Sequence, residues 1–119
     1  MHSLTMSWSN SSGLTFTPTS VSHTHGTDAT FTPGTLTQNS SVYVDQSANL
    51  GPGPVGVYTW TSGSVNAGCS YSHPSGTGTT SITVTPNGCK VSFDNKSWST
   101  TAITTHPTGT NITQNIYIA

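Results

Sequence analysis

Ser81-Ile82-Thr83-Val84-Thr85-Pro86-Asn87-Gly88-Cys89-Lys90-Val91-Ser92-Phe93 is the stretch on which the fold class turns. Two runs of alternating apolar and polar residues flank an Asn-Gly pair, the strongest short-range signal for a β-hairpin. A two-residue type I′ loop needs positive φ at both central positions, which Asn and Gly tolerate best. If Asn87-Gly88 is that loop, Val84 lies opposite Val91 and Ile82 opposite Phe93. Thr83, Thr85, Lys90 and Ser92 then share the wet face, and a slip of one residue would break every pair together. The stretch predicts a β protein with one solvated face. It identifies no function.

The rest of the chain extends the same pattern. Leu4, Met6 and Trp8 alternate with Thr5 and Ser7 as a half-buried strand. Leu14 and Phe16 predict a second strand closed by Pro18, and residues 21–25 a short third. Ala29-Thr30-Phe31-Thr32 ends at Pro33-Gly34, Leu36 stands alone in a polar segment, and Val42 and Val44 share one side of the next strand. Gly51-Pro52-Gly53-Pro54 is the strongest breaker and predicts a loop. In Val55-Gly56-Val57-Tyr58-Thr59-Trp60 both faces carry apolar bulk, and Gly56 leaves room for Trp60 or another group to lie over the backbone. Cys69 and Tyr71 share a face, Trp98 follows a turn at Asp94-Asn95, and Asn115-Ile116-Tyr117-Ile118 closes the chain as an apolar strand. The expectation is one domain over residues 1–119: an all-β antiparallel sandwich of eight or nine short strands, Ig-like, jelly-roll-like or similar, without helix.

Composition bounds the partners. Only 4% of 119 residues are charged, against about a quarter on average. The whole inventory is Lys90, Lys96, Asp28, Asp45 and Asp94. Two lysines cannot neutralise a row of phosphates, which excludes the usual route to nucleic acid, and no polybasic patch exists for anionic lipid. No apolar run is long enough to span a membrane. Met1-His2-Ser3 lacks the basic start and apolar run of a signal peptide, yet the composition is that of extracellular, cell-surface or virion-surface proteins. With a formal net charge of -1, self-repulsion is weak and homo-oligomers form easily.

Few residues suit chemistry. Three scattered aspartates do not make the paired carboxylates of a glycosidase, and no Gly-x-Ser-x-Gly motif is present, so no enzyme and no cofactor are expected. His23 and His25 share a strand face near Asp28, a weak metal-site candidate whose alternative is an exposed strand end. Cys69 and Cys89 form either a disulfide, closing about 20 residues for roughly 3 kcal/mol, or two buried thiols. Thr-x-Thr pairs at 15/17, 30/32, 35/37, 59/61 and 83/85 could order water as ice-binding proteins do, or simply fill a solvent face. Ser72-His73-Pro74-Ser75-Gly76-Thr77 recurs as Thr105-His106-Pro107-Thr108-Gly109-Thr110, as two similar turns at matching ends of a sandwich would. Asn10, Asn39, Asn95 and Asn111 begin glycosylation sequons and hint at surface loops.

Aromatic residues are the better lead. Tyr43, Tyr58, Trp60, Trp98 and Tyr117 are the candidate contacts, because an exposed ring stacks on a sugar or lipid headgroup while Asn, Asp and Ser hydrogen-bond it. The same rings suit burial between subunits or in an ordinary core.

Over about residues 4–60 the chain resembles the aegerolysin-type β-sandwiches. The resembling residues are Met6-Ser7-Trp8, Thr32-Pro33-Gly34 before Ser41-Val42-Tyr43-Val44, and Gly51-Pro52-Gly53 leading into Val55-Gly56-Val57-Tyr58. The resemblance implies a sandwich that recognises lipid-bearing surfaces, sometimes with a larger pore-forming partner. The chain lacks that family's charged, tryptophan-rich second half. Two functions follow as expectations: a non-catalytic module binding a glycan- or lipid-bearing surface, or a self-assembling subunit of a virion, filament or surface layer. Neutral surfaces and a free apolar edge strand at residues 116–118 would favour the second.

Overall fold

The computed structural model describes residues 2–46, 52–76 and 78–119. Gly51 of the predicted breaker, Thr77 of the His-Pro echo and Met1 lie outside the described residues. Among the described residues ten strands run in chain order: β1 (His2–Asn10), β2 (Thr17–His25), β3 (Thr30–Thr32), β4 (Asn39–Gln46), β5 (Val55–Ser62), β6 (Val65–Ser72), β7 (Ser81–Asn87), β8 (Val91–Ser92), β9 (Ile103–Thr105) and β10 (Ile112–Ile118). They form two packed five-stranded sheets, β3-β4-β1-β10-β8 and β2-β5-β6-β7-β9. Every pairing is antiparallel except β1 with β10, which is parallel. The described residues contain no helix, so none long and apolar enough to cross a membrane.

Alternation decides most faces as expected. Leu4, Met6 and Trp8 on β1, Val42 and Val44 on β4, Ala67, Cys69 and Tyr71 on β6, and Ile82 and Val84 on β7 all point into one core. Phe16 and Leu36 close it through an isolated bridge, which explains the apolar residue stranded in a polar segment. Leu14 stays exposed outside any strand, and β2 runs unbroken from Thr17 through Pro18 and the segment predicted as a short strand at 21–25. Pro18 is tolerated there because β2 is an edge strand, where a missing N–H costs no ladder bond.

The Asn87-Gly88 hairpin does not form. β7 pairs with β6 and β9, so Val84 faces Cys69 and Ile103 and not Val91. Val91 crosses to the other sheet and pairs with Ile118. Gly88 has φ of 80°, but Asn87 does not enter the left-handed region that a type I′ loop demands. Pro86 supplies the reason: it flanks the loop position and has no N–H for one of the two bonds that close a two-residue hairpin. Ser92, expected wet, is fully buried. The tight hairpin is instead β5–β6, whose two-residue loop is Gly63-Ser64, with Gly63 at φ 59°.

β5 is inverted relative to expectation. Gly56, Tyr58 and Trp60 point inward, while Val57 is 44% exposed. Tyr58 and Trp60 therefore cannot be surface contacts. Across the β5–β6 ladder, Trp60 faces Ala67, Tyr58 faces Cys69 and Gly56 faces Tyr71, so large residues meet small ones and the layer fills evenly. Burying two large rings also removes more apolar area than burying two valines. Trp8, Phe31, Tyr58 and Trp60 then pack edge to face, with ring centroids 5.3 to 6.2 Å apart. Trp8 Nε1–H donates to Tyr58 Oη at 2.8 Å, and that hydroxyl donates to Met6 Sδ at 3.3 Å. Gly56 does admit another group: a side chain there would collide with Tyr71 Oη and the Ser22 carbonyl.

Two further expectations change. The apolar strand at residues 116–118 belongs to β10, which lies between β1 and β8 and is no free edge. The disulfide is not formed. Cys69 is in the core beside Met6, whereas Cys89 Sγ donates to Asn66 O, three residues along β6 from Cys69. Three strand residues span about 10 Å, beyond the roughly 7 Å between Cα atoms that a disulfide bridges. Burial pushes the Cys69 thiol up to about 12, so it behaves as an apolar core residue.

Candidate functional site

Because β1 runs antiparallel to β4 and parallel to β10, the end of β1 meets the start of one neighbour and the end of the other. Ser9 is therefore flanked by Asn39 and Tyr117 in one row across the sheet's outer face. At about 4.8 Å per strand, the row sets Asn39 and Tyr117 about 10 Å apart. The row borders a cleft of about 420 Å³ lined by Ser9, Asn10, Ser11, Gln38, Asn39, Asn95, Tyr117 and Ile118.

Local hydrogen bonding holds its rim. Asn10 Nδ2–H donates to Leu14 O at 2.6 Å and Thr37 O at 2.9 Å, while Asn10 Oδ1 accepts from Ser12 N and Oγ. The backbone N–H groups of Asn10 and Ser11 donate to Gln38 O and Ile118 O. Opposite, Asn95 sits at φ 59° in a turn closed by Asp94, whose Oδ1 accepts from Lys96 N at 2.8 Å, Ser97 N at 2.7 Å and Ser92 Oγ at 2.9 Å. The Ser97 and Lys96 amides, with the Ser92 hydroxyl, hold the Asp94 carboxyl down at about 2. Asp94 spends its charge on its own turn, and no charged side chain lines the cleft.

The arrangement offers a half-buried phenol ring, amide groups on Gln38, Asn39 and Asn95, and hydroxyls on Ser9 and Ser11. Ser9 Oγ–H already donates to Asn39 Oδ1 at 3.3 Å, which orients that amide. Rings, amides and hydroxyls without charge are the chemistry that grips a neutral polyol.

Of the five predicted aromatics, only Tyr117 joins this cleft. Tyr43 lies on the same outer face, on the far side of β1, where its hydroxyl donates to Asp45 Oδ2 at 3.1 Å. Burial and the neighbouring Asp45 carboxylate raise its pKa. Trp98 is half-buried beneath the Lys90 ammonium, 5.3 Å from the ring centre. His23 Nδ1 pairs with Asp28 Oδ1 at 2.6 Å, but His25 adds no third ligand. Among the described residues no group of three His, Cys, Asp or Glu side chains is placed to hold a metal. Asn39 and Asn95 were legible only as sequons at turns; that they and Asn10 converge is a tertiary fact.

No protein-family model matches this chain, and the search of curated proteins returns no match.

Proposed function

We propose that the protein is a non-catalytic recognition module that binds neutral glycans through the Tyr117 cleft, at an extracellular, cell or virion surface. The observation that carries this reading is the union of a partly exposed phenol ring with three amide side chains and two hydroxyls in an uncharged cleft. The resemblance of residues 4–60 to aegerolysin-type sandwiches supports the same class, a small sandwich that reads a surface, and extends it to sugar-bearing lipids. The test is a glycan array followed by calorimetry on the best ligand. Tyr117→Ala is expected to weaken binding at least about tenfold, or about 1.4 kcal/mol, with little change in melting temperature, since Tyr117 lies outside the core formed by Ile116 and Ile118. Unchanged affinity in Tyr117→Ala, or no glycan bound, overturns the assignment. Vesicles with and without glycolipid separate free glycan from lipid-borne glycan.

A second reading, a self-assembling homo-oligomeric subunit, has its own observation. β2 is an edge strand exposed along nearly its whole length, and it borders a sheet face without charge. On that face Thr19, Thr59, Gly68 and Thr85 form one row, and Val57, Ser70, Thr83 and Thr104 another. Nothing there repels a copy of itself. Light scattering over a range of concentrations distinguishes the two: large regular particles favour the subunit, a monomer the module.

A further inference from the structure

The opposite pole of the sandwich is built around histidine. β6 and β9 both pair antiparallel to β7, so they run in the same direction and end on either side of the start of β7. This places the two His-Pro turns together, and the sequence echo marks one shared pole. β1 begins at the same pole with His2. The rings of His2 and His73 stack there with centroids 3.7 Å apart and planes within 11°. Both are buried, at 8% and 1% exposure.

The partners assign the protons. A carbonyl can only accept, so Nε2–H of His73 donates to Thr110 O at 2.7 Å and Nε2–H of His2 donates to Pro74 O at 2.7 Å. Nδ1 of His73 lies 2.7 Å from Thr80 Oγ1, which donates to it when the ring is neutral. Nδ1–H of His106 donates to the Thr80 carbonyl at 3.1 Å. The stack therefore ties the first strand to both turns and to the segment before β10.

We infer that the His2–His73 stack is an acid-sensitive latch: it holds the His-Pro pole closed with at most one proton on the pair, and the pole opens when both rings take up a proton. Two imidazolium rings at this separation repel strongly in a site that water barely reaches. Among the described residues no carboxylate pairs with either ring. The titratable groups on the surrounding elements are His106 after β9 and Asp45 on β4; Asp45 is opposite Ser3 in the ladder and binds the Tyr43 hydroxyl. Burial, and secondarily the charge on His2, lower the His73 pKa against the upward pull of the Thr110 carbonyl. For a histidine whose folded pKa is lowered, the open form binds more protons. The closed pole thus loses stability as pH falls below about 6.5 towards the lower folded value. The stack borders a partly open cavity of about 360 Å³ between the turns, lined by His2, Pro74, Thr80 and Thr110 among others, and opening would widen it.

Hydrogen exchange read by mass spectrometry at pH 7.5 and pH 5, corrected for intrinsic rates, tests the latch. Protection at residues 2–5 and 105–112 is expected to fall severalfold at pH 5, in the direction that a lowered folded pKa of His73 dictates, while the segment around Trp60 keeps its protection. His2→Phe preserves a stacked ring that takes no proton, so the part of the acid-induced loss that comes from repulsion within the pair should disappear, while the part that comes from burial of His73 stays. Histidine NMR titration of the unmodified chain is the second readout, and should show His73 taking up its proton below the ordinary histidine value. Equal acid dependence in His2→Phe, or titration of His73 at the ordinary value, overturns the proposal.

Discussion

Tyr58→Phe removes one oxygen from the centre of the core and leaves the ring. Phe31 and Trp8 keep their edge contacts with that ring, at 5.3 and 6.2 Å, so little packing is lost. What is lost is the acceptor for Trp8 Nε1–H, which stays behind in a fully buried site. An orphaned buried donor costs about 1–3 kcal/mol. The contact to Met6 Sδ adds little, because a thioether is a weak acceptor. Among the described residues the core already holds one indole N–H without a partner, that of Trp60, and the substitution makes a second. Taking about 2 kcal/mol and an unfolding entropy of about 2.1 cal/mol/K per residue over the chain, the melting temperature should drop by about 8 °C. Urea denaturation gives the free energy and calorimetry the temperature. The decisive comparison is a double-mutant cycle with Trp8→Phe, in which the donor is already absent. There, Tyr58→Phe should cost no more than about 0.5 kcal/mol. A single-mutant loss below about 0.5 kcal/mol, or an equal loss in both backgrounds, would refute the hydrogen bond as the source of stability.

Two further outcomes are expected. Gly56→Ala forces Tyr71 out of the core edge or β2 off β5, and should lower stability by about 2–4 kcal/mol; an unchanged denaturation midpoint would show that the close approach is not tight. Asp94 is held at about 2, below the ordinary carboxylate value of about 3.9. Its turn is therefore fully supported above pH 4 and loosens as pH falls through 2; Asp94→Ala should release the Lys96 and Ser97 amides to exchange at every pH, and slow exchange at those amides in the variant would contradict the bonding described.

Composition and alternation carried the reading to an all-β sandwich and to the inward residues of β1, β4, β6 and β7. Those features are local: a strand has period two, and polar against apolar chooses the face when the contrast is clear. β5 had no such contrast. Val55 and Val57 opposed Gly56, Tyr58 and Trp60, and only packing against Trp8 and Phe31 of the other sheet made the aromatic side the inner one. Asn87-Gly88 met the local rule for a hairpin, and Pro86 with the cross-sheet pairing of Val91 and Ile118 overrode it. The cleft was less legible still. Tyr117 was found by its type, but Ser9, Gln38, Asn39 and Asn95 come from segments far apart in the chain. The parallel β1–β10 pairing, formed between the two ends of the described chain, brings them to one pole. The His-Pro echo was visible as a repeat, and its partner His2 was not. Sequence fixes what each strand wants to bury, because that depends on neighbours two residues away; which strands meet depends on contacts a hundred residues apart, and both sites exist only through those.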